Sequence, residues 1–459
     1  MMSKTAPVRK NEQRQLTFID MTHEGSGVAK LDGYPIFVPN TLPGEVADVK
    51  IIFVKKNFAI GKLSNLIEVS PNRVEPPCEV YHQCGGCQLQ HLDYASQLVM
   101  KQNQVKNVMH KVAHLPDIDV NPTIGMEHPW RYRNKVQIPV GEKNGELITG
   151  FYRKKSHDII EGMERCIITD EVNDEMVNGV RDVANRVGIR AYDEKIHKGT
   201  LRHIVVRRGK QTNQVMLVLV TRTKEMPYKK QFIDGILSLY PEVNSIMQNV
   251  NGERTNVILG RQTFCLYGDD YIYDTIGDVK FAISAKSFYQ VNPDQTKVLY
   301  DEALRMAQLT GSETVIDAYC GIGTISLFLA QQAKKVYGVE IVPEAIDDAK
   351  KNAEINQLSN TEFVVGQAEK VMPWWTSQGL RPDVIVVDPP RKGCEEALLE
   401  AMVTMGPERI VYVSCNPATL ARDLKYLTEH SYEVKEIQPV DMFPQTSHVE
   451  TICLLTRKL

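Results

Sequence analysis

The sequence predicts a multidomain α/β chain in three parts: a small all-β barrel, a central α+β region and a C-terminal doubly wound parallel sheet. Three observations carry this. The chain has 459 residues, more than one ordinary hydrophobic core organises. Residues 9–67 consist of short alternating or β-branched runs set between glycine, proline and asparagine turns. From residue 286 onward, apolar strand-like runs alternate strictly with helical patterns.

In the first region (9–67) the runs LTFIDM, YPIFVPN, EVADVKIIFV and FAIGKL are split by HEGSG, LDG and NTLPGE. That reads as an OB-like barrel of about five strands. The central region (68–285) carries strand runs KVQIPV, HIVVRR, VMLVLVT and VNSIMQNV and one clear helix over 170–188. A second, polar-rich helical stretch over 95–113 could pack on the C-terminal domain. The last region (286–459) holds TVIDAYC, KVYGVEI, TEFVVGQA, DVIVVDPP and RIVYVSC as buried strands, with helices such as PEAIDDAKKNAEINQL between them. Such alternation predicts a Rossmann-like sheet. YEVKEIQPVDMF and HVETICLLTRKL then predict an added terminal hairpin.

With 42% hydrophobic and 24% charged residues, the composition excludes disorder. No apolar run approaches the ~20 residues a membrane helix needs, and MMSKTAPVRKNEQRQLTF has no apolar segment of a secretory signal. A cytoplasmic protein is expected. Nine cysteines in a reducing compartment then read as thiols, metal ligands or catalysts. The net charge of −3 counts mildly against nucleic-acid binding. However, basic residues cluster centrally: Arg131, Arg133 and Lys135; Arg153, Lys154 and Lys155; Arg202, His203, Arg207, Arg208 and Lys210. Together they suggest a local phosphate-binding face.

TVIDAYC runs into Gly321-Ile322-Gly323 and a helix, with Glu340 ending the next strand. Glycines there let a ligand approach the backbone, and Glu340 can accept from ribose hydroxyls. The pattern fits NAD as well as S-adenosylmethionine, but Ser326 replaces the third glycine that a pyrophosphate wants. Asp388-Pro389-Pro390-Arg391 ends the fourth strand, at the switch point where a flat base would meet a methyl donor. Cys415 ends the fifth strand, with Asn416 as helix cap and Pro417 as first helical residue, so the helix dipole is expected to favour a thiolate. Carbon 5 of uracil is a poor nucleophile until a thiolate adds at carbon 6, and a base must later take the carbon-5 proton. Glu450, acidic within an apolar strand, is the candidate base. Cys78, Cys84 and Cys87 in C-x5-C-G-G-C, with a solitary Cys166, suit zinc or an iron–sulfur cluster equally by spacing.

SFYQVNP, DAYCGIGT, DPPRKG, SCNPATLARD and HVETI together resemble the RNA uracil-5-methyltransferases, and within them the RumA type acting on 23S ribosomal RNA. The resemblance spans nearly the whole chain. It makes EGSGVAKLDGYPIFVPNTLPGE part of a TRAM domain, an RNA-binding barrel that the transfer-RNA branch is expected to lack. It implies Cys415 as nucleophile and Glu450 as base. It also places Gln290, Tyr319, Glu340 and Asp388 at S-adenosylmethionine-binding positions, with Tyr319 standing where phenylalanine is common. A [4Fe–4S] cluster on Cys78, Cys84, Cys87 and Cys166 is implied in the same way. Arg391 is expected to stabilise the developing enolate. The expected partner is 23S ribosomal RNA, with no membrane and a monomeric protein. The alternatives are a transfer-RNA uracil-5-methyltransferase, a non-catalytic RNA-binding ribosome-assembly factor, and an NAD-dependent enzyme supported only by the Gly-x-Gly loop.

Overall fold

Alternating buried and exposed side chains fold the first region into one sheet. In the computed structural model, which describes residues 6–458, its strands are β1 (Gln13–Thr17), β2 (Asp20–Met21), β3 (Ser26–Leu31), β4 (Tyr34–Pro39), β5 (Val46–Val54) and β6 (Ala59–Glu68). Their order is β1-β5-β6-β4-β3-β2. Six strands stand where about five were expected, because LTFIDM is two strands and not one. Phe18 leaves the ladder to enter the core with Leu16, Ile36, Val38, Val49 and Ile51.

Helix α1 (Tyr94–Lys111) starts at Asp93, whose side chain accepts from the Ser96 N–H. Its Val105 and Met109 join a core with Leu424, Leu427 and Tyr412 of the last region. The polar-rich helix therefore does pack on the C-terminal domain. Next come β7 (Lys135–Lys143), β8 (Glu146–Thr149), α2 (Glu171–Val187), β9 (Leu201–Arg208), β10 (Val215–Thr221), α3 (Lys229–Leu239), β11 (Ser245–Val250) and β12 (Gln262–Gly268). The strands form a sheet ordered β12-β11-β10-β9-β7-β8. On one face Val180, Val183, Phe232 and Ile236 of the two helices cover Ile204, Val206 and Leu217. On the other face Val205, Met216, Val218 and Val220 share a core with the C-terminal region. Helix α3 has no sequence signal at its start: it begins after Tyr228, which is left-handed at φ 53° and offers no capping bond. Gly235 further weakens its pattern.

The hairpin of β13 (Tyr271–Ile276) and β14 (Val279–Ser284) lays Ile272, Phe281 and Ile283 into that same C-terminal core. Then α4 (Pro293–Ala307), β15 (Thr314–Ala318), α5 (Thr324–Ala330), β16 (Lys335–Glu340), α6 (Pro343–Ile355), β17 (Thr361–Val365), α7 (Ala368–Ser377), β18 (Val384–Val387), α8 (Glu396–Met405), β19 (Arg409–Ser414), α9 (Pro417–Glu429), β20 (Tyr432–Val440) and β21 (Glu450–Arg457) complete the chain. The sheet order is β17-β16-β15-β18-β19-β21-β20, with the switch point between β15 and β18. β17, β16, β15, β18 and β19 are parallel, whereas β21 runs antiparallel to both β19 and β20. Among the described residues no helix is long and apolar enough to cross a membrane.

Candidate active site

At the carboxyl edge of β15 the chain turns sharply. Tyr319 has φ 69° and Gly321 φ 55°, and Gly323 at φ 82° opens α5. The Tyr319 and Cys320 N–H groups donate back to the Val339 carbonyl, which pins the turn to β16. Glu340, ending β16, accepts from the Gly321 N–H (3.3 Å) and from the Val342 N–H (3.0 Å). A side chain at Gly321 would meet nothing within 4 Å, so this loop borders open space. A Cβ at Gly323 would lie in tight contact, 3.3 Å from both Ala349 and Phe363, and the left-handed φ of 82° favours glycine there. The Gln290 carbonyl accepts from Asn134 Nδ2 (3.2 Å), which ties the loop before α4 to the central sheet.

Asp388, Cys415 and Glu450 meet because three neighbouring strands end together. β18 and β19 are in parallel register, with Val387 opposite Tyr412. β21 enters antiparallel beside β19 with Thr451 opposite Ser414, so the start of β21 lies at the strand end that carries Cys415. The Asn416 side chain caps α9 by accepting from Ala418 N–H (3.1 Å) and donates to the Arg391 carbonyl (3.0 Å). The Thr419 hydroxyl donates to the same carbonyl (3.3 Å). Those bonds lock the Asp388–Arg391 turn against the Cys415 turn.

Electrostatics here favour neutral acids. Burial pushes Glu450 up to about 8, with the Asp388 charge adding and Arg391 opposing. Burial likewise pushes Asp388 up to about 7. The Cys415 thiol is pushed up to about 11 by burial and then by Glu450 and Asp388, with Arg391 pulling the other way. That corrects the sequence expectation of a thiolate favoured by the helix dipole. Desolvation first, and then the two neighbouring acids, outweigh the pull of the Arg391 guanidinium.

Two features near these segments escaped the sequence. Asp317 is buried, accepts from the Ser326 hydroxyl and is pushed up to about 7 by burial, with Asp388 and Glu340 nearby. Ser326, read as a missing glycine, thus serves the strand-end acid cluster. Phe288 stands 68% exposed two residues before Gln290, and only the three-dimensional fold reveals that exposure. The SFYQ run was its one sequence signal.

The basic face is smaller than the sequence suggested. Arg131 donates to the Cys166 and Thr169 carbonyls and pairs with Asp174 (3.0 Å). Arg202 donates to the Asn251 and Glu253 carbonyls and Arg207 to the Ala285 carbonyl. Arg208 pairs with Asp170 and Lys210 with Asp294. Arg133 and Arg391 line one cavity and pair with no carboxylate among the described residues. Lys135, half-buried, has the Arg207 and Arg133 charges nearby and pairs with no carboxylate among the described residues.

Cys78, Cys84, Cys87 and Cys166 line that same cavity of about 390 Å³, with Tyr81, Arg133, Arg391 and His448. All four thiols are free. Burial raises Cys78, Cys84 and Cys87, and the neighbouring thiols raise them further. Among the described residues, no three His, Cys, Asp or Glu side chains are gathered tightly enough to grip a single ion. The four expected ligands thus share the walls of one cavity.

The family described as tRNA (Uracil-5-)-methyltransferase matches residues 259–458, and the TRAM domain matches residues 7–64. An RNA methyltransferase of Halalkalibacterium halodurans is 60% identical, with all of both chains covered. One from Bacillus cereus is 60% identical over 99% of this chain and 98% of its own. Among solved structures, the Pyrococcus abyssi tRNA (uracil-54, C5)-methyltransferase in complex with S-adenosyl-L-homocysteine matches with TM-score 0.76 and 28% identity, covering 96% of this chain and 99% of its own. A match of that extent takes in the N-terminal barrel, so the barrel does not separate ribosomal from transfer-RNA enzymes as the sequence reading held. Strand order, glycine loop and relatives agree: the chain belongs to the RNA uracil-5-methyltransferase family, as an S-adenosylmethionine-dependent RNA methyltransferase with an N-terminal TRAM domain.

Proposed function

We propose that the protein methylates carbon 5 of a uridine in 23S ribosomal RNA, with Cys415 as nucleophile and Glu450 as base. The observation that carries this is the convergence of Cys415, Glu450 and Asp388 at three adjacent strand ends. The Cys415 thiol passes its proton to solvent water as the sulfur adds to uracil carbon 6. The ring becomes an enolate beside Arg391, and carbon 5 takes the methyl group as the bond to the donor sulfur breaks. Glu450, once it has released its own proton to solvent, removes the carbon-5 proton, carbon 5 and carbon 6 regain their double bond, and the sulfur leaves as a thiolate that solvent reprotonates. The donor supplies an electrophilic methyl group, and Gln290, Tyr319, Glu340 and Asp388 are the residues that would hold it. The target base must leave its stack to reach Cys415, and the exposed Phe288 ring, two residues before Gln290, is a candidate stacking surface. Arg133, Lys135 and Arg391 face the RNA backbone around it.

The four cysteines would hold a [4Fe–4S] cluster, which when bound would cross-link the segment 78–87 to Cys166 without taking part in methyl transfer. Their shared cavity supports this reading. A reaction that stops when the redox state is clamped would contradict it. A second reading, a uridine in transfer RNA, draws on the family description and the Pyrococcus abyssi enzyme. The test is a trapping assay with 5-fluorouridine in 23S fragments and in transfer RNA, since fluorine at carbon 5 blocks the final step. A covalent band on 23S fragments that vanishes in Cys415→Ala is expected. A band on transfer RNA alone moves the substrate to the second reading, and no band on either sinks the uracil-5 mechanism. Full turnover by Arg391→Ala would remove the enolate role of that residue.

A further inference from the structure

The segment between β20 and β21 leads directly into Glu450, and other parts of the chain grip every carbonyl from residue 442 to 445. Met442 O accepts from Asn292 Nδ2 (2.9 Å), Phe443 O from Lys101 Nζ (3.2 Å) and Pro444 O from the Tyr132 hydroxyl (3.0 Å). Gln445 O accepts two backbone N–H groups, those of Gln88 and Leu89, each at 3.0 Å. Those two residues directly follow Cys87.

Three glutamine side chains complete the junction. Gln445 is buried and left-handed at φ 70°. Its side-chain oxygen accepts from Gln97 Nε2 of α1 (3.0 Å), and its N–H donates to Gln97 Oε1 (3.2 Å). Gln88 spans the gap from the other side. Its Nε2 donates to the Gly85 carbonyl inside the C-G-G-C turn (2.9 Å), and its Oε1 accepts from the Ser447 N–H (3.3 Å), three residues before Glu450. The Tyr81 hydroxyl, donating to Gln88 O (2.7 Å), stiffens the cysteine turn from behind.

We infer that Gln88 and Gln445 are positioning residues, which clamp the base-bearing segment to the cysteine turn and so set where Glu450 stands relative to the target carbon 5. The inference rests on the role proposed for Glu450. The cysteine segment lies far from Glu450 in sequence yet is tied to the stretch before it by the Gln88 and Leu89 N–H groups and, at Ser447, by the Gln88 side chain. Gln97 and Gln445 are buried, where unpaired amides would be costly, and their mutual bonds together with those of the half-buried Gln88 fix the geometry of the junction. It also gives the four-cysteine cavity a task in the reaction that needs no electron. Whatever fixes the C-G-G-C turn fixes the anchor of the base.

The test uses the holoenzyme with Gln88→Leu, which removes both side-chain bonds without touching a thiol, and Gln445→Asn. Asparagine tolerates the left-handed backbone but is one methylene too short to reach Gln97. Three quantities are measured: hydrogen exchange of the peptide spanning 441–451, covalent trapping on 5-fluorouridine RNA, and turnover on ordinary RNA. Trapping needs Cys415 and the donor but not the base. The expected result is exchange about tenfold faster in that peptide and turnover lowered roughly 10–100-fold. Trapping should stay within about threefold of the parent, and adduct should accumulate on ordinary uridine. Unchanged exchange, or trapping and turnover falling together, would overturn the clamp. If Gln88→Leu fails to fold, Gln445→Asn decides alone. A parent enzyme that traps no RNA would refute the functional reading, and the exchange comparison would then decide the clamp by itself.

Discussion

Replacing Glu450 by glutamine should cost the enzyme its turnover and make the donor-free protein more stable at alkaline pH. The side chain is 6% exposed, and burial with the Asp388 charge raises it from an ordinary 4.5 to about 8. The folded state therefore holds this proton where the unfolded chain has released it, so stability falls as pH rises through that window. At about 1.4 kcal/mol per pH unit, the full interval corresponds to at most ~5 kcal/mol. Part of the shift belongs to the Glu450–Asp388 pair, whose protons leave in coupled steps, so about 2–4 kcal/mol is expected for Glu450 alone. Glutamine has the same shape and no charge to desolvate. The variant and parent should match near pH 4.5 and separate progressively towards about pH 9. Urea unfolding followed by tryptophan fluorescence measures this directly, since Trp374 and Trp375 sit on α7 of the methyltransferase domain. Turnover should fall by at least ~10²-fold while trapping on 5-fluorouridine RNA persists. A stability difference that does not grow with pH would refute the electrostatic account, and a variant that still turns over would refute the base assignment.

Cys415→Ala should bind RNA like the parent yet give no covalent band, which a filter-binding assay and a denaturing gel together report. Lys101 and Asp441 are both fully buried and paired at 2.5 Å, so Lys101→Met strands a buried carboxylate and should cost ~3–5 kcal/mol in urea unfolding. A loss below about 1 kcal/mol would mean that the Tyr94 hydroxyl, 2.9 Å from the same carboxylate, suffices alone. Burial and the nearby Arg207 and Arg133 push Lys135 down to about 7. RNA affinity should therefore weaken as pH rises through that value and the cation is lost, and Lys135→Arg should flatten the dependence. Arg133→Ala should lower the salt slope of RNA binding by about one unit, and an unchanged slope would remove Arg133 from the RNA path.

The strand-end motifs were legible because a doubly wound sheet carries its chemistry in the turns after its strands. Once TVIDAYC, DVIVVDPP and RIVYVSC read as buried parallel strands, Tyr319, Asp388 and Cys415 had to lie on one edge, and the glycine loop and the capped start of α9 followed from residue type. Helix α1 and the terminal hairpin were readable from periodicity for the same reason. What the sequence could not decide were pairings without a local signal. Nothing in HVETI says that β21 inserts between β19 and β20, yet only that antiparallel insertion brings Glu450 beside Cys415. Helix α3, with no cap and an internal glycine, is stabilised by its packing on the central sheet and not by its own residues. The basic clusters looked alike in sequence, but buried carbonyls and carboxylates engage Arg131, Arg202, Arg207 and Arg208, whereas Arg133 and Lys135 pair with no carboxylate among the described residues. The Cys415 thiol likewise takes its high pKa from desolvation and from two acids distant in sequence. Local propensity is written along the chain. Burial, charge pairing and strand neighbours are set by which distant segments fold against each other, and tertiary structure alone decides that.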